Sequence, residues 1–173
     1  MTKKEFLKRV SNGKEDILQV FFDVLAKGKI DYCVIGGLAV NAYAEPVVSL
    51  DLDVVVAAQD LEALCSSVES YFKMEKFAHS INLSSSQSDL RIQIQTDKRY
   101  QPFMARAMKK DVLGYQMNVA SIEDVLQGKV WAYSDDSRRR SKRHKDLADI
   151  SRLIEVRPDL ISFLPDMIKD RMD

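Results

Sequence analysis

Four residues in one short stretch have the types and spacing to do chemistry: Gly36, Gly37, Asp51 and Asp53. Asp51-Leu52-Asp53 leads into the apolar run Val54-Val55-Val56, which reads as a strand. Side chains alternate along a strand, so both carboxylates point to one face. Two adjacent carboxylates repel unless a cation sits between them, and a hard divalent cation such as Mg2+ or Mn2+ takes oxygen ligands. The Gly-Gly pair ends another apolar run, Tyr32 to Ile35, and precedes a short helical segment. Glycines at such a turn let backbone N–H groups approach a phosphate. The turn is neither GxGxxG nor a P-loop. Each feature also has a plain reading, a ligand-free turn and acids at a solvated strand end. Acids heading an apolar strand are costly unless they face solvent or a metal, and the glycine pair so close upstream favours the metal.

These residues need elements to hold them. Apolar spacing predicts a short helix over 4–10, interrupted by Asn12-Gly13, and a second from Glu15 to Ala26 stopped by Gly28. A buried strand over Tyr32–Ile35 follows, then the Gly36-Gly37 turn, a helix from Leu38 to Ala44 ended by Pro46, and a strand from Leu50 to Ala57. Asp60 reads as the N-cap of a helix through Phe72. Strands over 76–83 and 88–96 form a hairpin around the serines 84–86, a helix covers 101–109, and a strand runs from Gln116 to Val119. Ser121 caps a helix to Tyr133, with Asp124 as a short capping box. The polar segment 134–141 leads to a long helix from Ser141 to Val156, and Pro158 starts a final helix. The order implies an α+β fold, a small mixed β-sheet core with flanking helices and a helical C-terminal third, rather than a doubly wound parallel sheet.

The 173 residues are expected to form one domain, with a core over about 30–120 and C-terminal helices over about 121–173. Lysine plus arginine equal aspartate plus glutamate at 26 each, so any attraction to nucleic acid must be local. No run of about 18 apolar residues exists to span a membrane, and no signal peptide is evident. Cys33 and Cys65 sit in apolar surroundings without metal-ligand spacing and read as reduced thiols of a cytoplasmic protein.

The arrangement of strand, Gly-Gly, short helix and Asp-x-Asp on the next strand resembles the nucleotidyltransferase superfamily, with its DNA polymerase beta-like fold. Further down, Ser121-Ile122-Glu123-Asp124-Val125-Leu126, Lys129 and Lys145-Asp146-Leu147-Ala148-Asp149-Ile150 are similar to the C-terminal signature of small nucleotidyltransferase-like proteins related to abortive-infection toxins. The resemblance covers about residues 30–155. It implies that Gly36 and Gly37 hold nucleotide phosphates, that Asp51 and Asp53 are catalytic and bind magnesium, and that Lys129 touches the triphosphate. Ser49 keeps the hydroxyl two residues before the first Asp, whereas Val47 stands where the group often has Arg. The implied reaction is transfer of a nucleoside monophosphate from an NTP to a hydroxyl acceptor.

The superfamily usually carries a third carboxylate on a later strand. Here that strand is Asp89-Leu90-Arg91-Ile92-Gln93-Ile94-Gln95, whose odd-numbered residues share a face. Gln93 holds the third-acid position, and an amide binds metal less well and cannot accept a proton. Asp89, further along that face, is the acid that could replace it. The alternative is therefore an impaired nucleotide- or RNA-binding module of regulatory or toxin–antitoxin type. Asp146 and Asp149 share a helix face. They can line the pocket, pair with Arg143 or Lys145, or anchor Lys129, with Asp146 the better pocket candidate. Lys129 could equally be an exposed helix lysine. Arg138 to Lys145 carries six cations in eight residues at a helix start, where the dipole disfavours them, which points to an anionic partner such as a triphosphate, RNA or tRNA. The plain reading is a solvated loop offset by Asp135 and Asp136. His79 and His144 receive no role.

Overall fold

The computed structural model describes residues 1–172. Two helices lead, α1 (Lys3–Val10) and α2 (Ile17–Lys27). Thr2 and Glu5 close a reciprocal capping box on α1, and Asp16 caps α2 through the Gln19 amide. At the end of α2, Gly28 remains right-handed, and the chain turns through Lys29 at φ 50°.

A seven-stranded sheet follows, in the order β3-β4-β5-β2-β1-β7-β6. Its centre is β1 (Tyr32–Ile35) antiparallel to β2 (Asp51–Val56), flanked by parallel β7 (Tyr115–Val119) and parallel β5 (Ser88–Gln95). β3 (Lys73–Lys76) and β4 (Ser80–Ser85) extend one side, and β6 (Met108–Val112) closes the other. Mixed pairing and segregated helices make this the α+β fold expected from the sequence. The core gathers Phe21 and Leu25 of α2, Leu64 and Val68 of α4 (Leu61–Val68), and Leu90, Ile92 and Ile94 of β5. The opposite face of β5 carries exposed Asp89 and Arg91 and half-buried Gln93 and Gln95. Strict alternation thus separates core from site.

Several boundaries differ from expectation. The segment expected as a two-stranded hairpin is a three-stranded meander, because β3 reads Lys-Met-Glu-Lys and gives no apolar alternation. β6 was hidden likewise, as the polar edge strand Met-Lys-Lys-Asp-Val. The helix expected over 101–109 is a 3-10 segment, Lys98–Arg106, with Pro102 inside it. The helix after the glycine pair, α3, begins at Gly36 itself and ends at Val40. α4 stops at Val68, and Asp60 makes no side-chain cap. Ser121 caps α5 (Ile122–Ser134), but the Asp124 side chain turns away to a bidentate pair with Arg106. After α6 (Arg140–Val156) the chain makes a 3-10 segment, Pro158–Phe163, and a short α7 (Asp166–Lys169).

Cys33 is buried, and burial pushes its thiol up to about 12, while Cys65 is partly exposed; both are free. Among the described residues, no helix is long and apolar enough to cross a membrane.

Candidate functional site

Strand alternation places Asp51 and Asp53 on the site face of β2, while Leu52 and Val54 enter the core. Antiparallel register sets Asp53 opposite Ile35, the residue before Gly36. Gly36 takes φ 70°, and a Cβ there would lie 2.3 Å from Asp53 Oδ2. The glycine therefore makes room for a carboxylate. Gly37 has no such constraint, since its Cβ would meet only Ser49 Oγ at 3.5 Å. Gly36→Ala is expected to cost about 1–2 kcal/mol through backbone strain and the clash, with Gly37→Ala costing well under half as much, as measured by chemical denaturation.

These residues line one cavity with Gln93, Gln95, Tyr100, Lys129, Arg138 and Asp146. The sheet forms one wall. α5 and α6 form the other, to which Lys142 and Lys145 also belong. The walls differ in character: the carboxylates on β2 face four cations, two of which, Lys129 and Arg138, are paired with Asp146. A polyanion that carries its own divalent cation matches both walls at once.

Asp53 is the electrostatically strained member. Burial raises its pKa, Lys129 lowers it and Asp51 raises it again. Arg138 and Lys142 lower it further, and all of these charges act through space. Asp51 is paired: Arg91 Nε donates to Asp51 Oδ1 at 3.0 Å, across the Asp51–Arg91 register of β2 and β5. Gln93 lies directly across from Asp53, at the register position where a third carboxylate would complete the set. Among the described residues, no three Asp, Glu, His or Cys side chains gather to hold a metal. The fit to a hard divalent cation rests on two oxygen-bearing groups on one face, one of them desolvated, beside a glycine that spares the space.

Asp89 does not reach this cavity. Its carboxylate accepts from Asn12 Nδ2 at 2.6 Å, and its backbone N–H donates to Ser11, so it ties β5 to the end of α1. Arg91 pairs with Asp51 and is not among the residues lining the cavity. Ser49 is buried and bonds locally to the Asp51 backbone.

Lys129 is buried rather than an exposed helix lysine, at 7% exposure. Its Nζ lies 3.1 Å from Asp146 Oδ1 and 2.8 Å from Asp149 Oδ2, the second contact lying off a hydrogen-bond direction. Burial alone would lower its pKa, and Asp149 and Asp146 outweigh that, so the amine is held charged with a raised pKa. Each acid has a second cation. Arg138 Nε donates to Asp146 Oδ2 at 2.7 Å, and Arg152 donates to Asp149 Oδ1 at 2.9 Å. The partners of Asp146 and Asp149 are therefore Lys129, Arg138 and Arg152, in place of Arg143 or Lys145. Arg152 continues to Asn41 Oδ1 and the Glu45 carbonyl, while Asn41 brackets both backbone groups of Val47. One polar network thus joins the pocket floor to the loop entering β2.

The basic run divides into distinct jobs. Arg138 is half-buried on Asp146, and Arg143 donates to the Tyr133 carbonyl at 2.8 Å and lies over the Tyr133 ring. Arg139 and Arg140 are exposed, and α6 has no acid in its first turn. Sequence reasoning overlooked Tyr100, Gly128 and Arg152. Tyr100 enters the cavity from the 3-10 segment and packs edge-on against Trp131 with ring centroids 5.1 Å apart. Gly128 was the available signal, because a mid-helix glycine is costly and here a Cβ would sit 3.4 Å from Tyr100.

The fold places the chain among nucleotidyltransferase-like structures. It is similar to lincosamide antibiotic adenylyltransferase LnuA in its lincomycin-bound form (14% identity, 82% of this chain and 98% of that one, TM-score 0.57). It is also similar to the antibiotic-resistance factor ANT(2'')-Ia in complex with adenylyl-2''-tobramycin (13% identity, 91% and 97%, TM-score 0.62). A third similar structure is an antigenic nucleotidyltransferase-like protein from Paracoccidioides brasiliensis (18% identity, 89% and 78%, TM-score 0.55). No curated protein matches the sequence significantly. The sequence profile described as "Nucleotidyl transferase AbiEii toxin, Type IV TA system" matches residues 68–173, more than half of the chain. The chain belongs to this AbiEii nucleotidyltransferase family. The match begins after the glycine turn and Asp51, and takes in Gln93, Lys129, Asp146 and Asp149.

Proposed function

We propose that this chain is a divalent-metal-dependent nucleotidyltransferase, working as one domain, that moves a nucleoside monophosphate from an NTP to a hydroxyl acceptor. The observation that carries the reading is the two-walled cavity, with Asp51 and Asp53 facing Lys129, Arg138, Lys142 and Lys145. Asp51 and Asp53 are the residues to hold Mg2+ or Mn2+. When bound, such an ion supplies Lewis-acid stabilisation of charge on the phosphates and lowers the pKa of an attacking hydroxyl.

The remaining work belongs to side chains and backbone. The Gly36-Gly37 backbone and the Ser49 hydroxyl border the phosphates. Lys142 and Lys145, on the helix wall, offset the charge that develops on a departing pyrophosphate. Lys129 stays charged through Asp146 and Asp149 and contributes its field from the cavity wall itself. Gln93 holds an acceptor hydroxyl by hydrogen bonding but cannot take its proton. With Asp53 committed to the cation, the proton of the hydroxyl leaves to solvent water. The exposed Arg139 and Arg140 beside this wall fit an anionic acceptor such as an RNA or tRNA end, whose binding should fall steeply with salt.

A second reading has its own observation. With Gln93 opposite Asp53, the site has two carboxylates instead of three and suits a nucleotide- or RNA-binding module without turnover. Thermal denaturation tests the part both readings share. A saturating NTP with Mn2+, at about 100-fold above its Kd, should raise stability by about 2.7 kcal/mol in the native chain. EDTA should remove that gain. No stabilisation by any NTP, with or without metal, would refute transfer and the nucleotide-binding module, and failure to retain RNA as well would refute the RNA-binding form.

A further inference from the structure

The Arg91–Asp51 pair, beside the cavity, is built differently from the ion pairs of the helix wall. Arg138, Lys129 and Arg152 bind carboxylates that are almost wholly buried. Arg91 instead has a side chain 63% exposed, and its carboxylate partner is one third exposed. The contact uses Nε alone, at 3.0 Å, so among the described residues both terminal nitrogens of the guanidinium remain unengaged. The strand register fixes the two backbones side by side, so the guanidinium stays within reach of Asp51 when the pair opens.

Such an exposed, single-point pair is weak and readily exchanged. It still removes one oxygen from a two-carboxylate site that has no third acid to spare. We propose that Arg91 is the resident counter-cation of Asp51, which a divalent ion must displace, and that the released guanidinium then takes a nucleotide phosphate. The inference rests on the proposed metal role of Asp51 and Asp53. Arg91 is a positioning residue for Asp51 in the empty site and a phosphate ligand in the loaded one. The fork geometry suits the second task, since two parallel N–H groups match two phosphate oxygens.

The two roles give opposite signs in one variant. Arg91→Gln removes the charge from an exposed position and should leave the fold intact. By electron paramagnetic resonance, Mn2+ without nucleotide should bind Arg91→Gln about two- to fivefold more tightly than the unmodified chain, the size of an exposed pair. At saturating Mn2+, the same variant should bind an NTP about tenfold more weakly. The gain in metal affinity should vanish when Asp51→Asn is added, which ties it to this pair. Equal or weaker Mn2+ binding by Arg91→Gln, with binding present in both proteins, would overturn the inference and leave the metal site standing. Unchanged NTP affinity would overturn the phosphate role. Absence of Mn2+ binding in both proteins would overturn the inference and the metal-binding reading together.

Discussion

Asp53→Asn is expected to lower nucleotidyl transfer by about 1,000-fold, equivalent to about 4 kcal/mol of transition-state stabilisation, while making the protein more stable. The two effects share one cause. Burial, with Asp51 beside it, raises the pKa of Asp53 in the folded chain, and Lys129 only partly opposes this. A carboxyl whose folded pKa exceeds its unfolded value favours folding while protonated. That contribution is complete below the ordinary carboxylate range and is lost as pH rises through the folded pKa. At neutral pH the ionised Asp53 is therefore a net cost, which the neutral amide of Asn removes. The expected gain is about 1 kcal/mol, or about 2–4 °C in Tm for a chain of this size. Thermal melts across pH should show the difference at pH 7 and its closure on acidification. A variant that is less stable at pH 7 would mean Asp53 has a compensating partner.

Lys129→Met is expected to produce the largest loss of stability. Methionine fills the space but leaves Asp146, at 1% exposure, and Asp149, at 4%, with less charge compensation in a dry environment. Breaking a buried pair by removing one partner typically costs about 3–5 kcal/mol. Here each acid retains an arginine, Arg138 or Arg152, which places the expectation near 3 kcal/mol, or about 6–12 °C in Tm. Because the Lys129 pKa is raised, its contribution is fully present below its unfolded pKa and is lost as pH rises through the folded one. Wild-type and variant melts should therefore converge only in alkali. If Lys129 acted mainly as a free phosphate ligand, the variant would melt normally and lose only nucleotide affinity.

The central residues were legible because short-range rules govern them. Alternation on β2 fixes which face Asp51 and Asp53 share, and Gly36 is required where a backbone at φ 70° meets a carboxylate. The same alternation on β5 put Gln93 on the site face, while the exact opposition to Asp53 needed the parallel register. What sequence concealed was long-range or polar. β3 and β6 are edge strands whose polar residues carry no period. The fates of Asp89 and Arg91 depend on which neighbour each meets, Asn12 or Asp51, at sequence separations no local rule spans. Asp146 and Asp149 share a helix face by spacing alone, but their burial under Arg138 and Arg152 follows from how α5 and α6 pack. Tyr100 is core on one side, edge-on against Phe103 and Trp131, and cavity wall on the other, a double role that spacing alone does not show.

Nucleotidyl transfer by this cavity should depend on Asp51 and Asp53. The direct measurement is incubation of the purified chain with each α-labelled NTP, Mg2+ or Mn2+ and total RNA, beside the Asp51→Asn plus Asp53→Asn variant. Label should be joined to acceptor by the unmodified chain, with none in EDTA and none with the variant. Nucleotide binding without any labelled product would contradict transfer and leave the binding-module reading, and labelled product from the double variant would contradict the site itself.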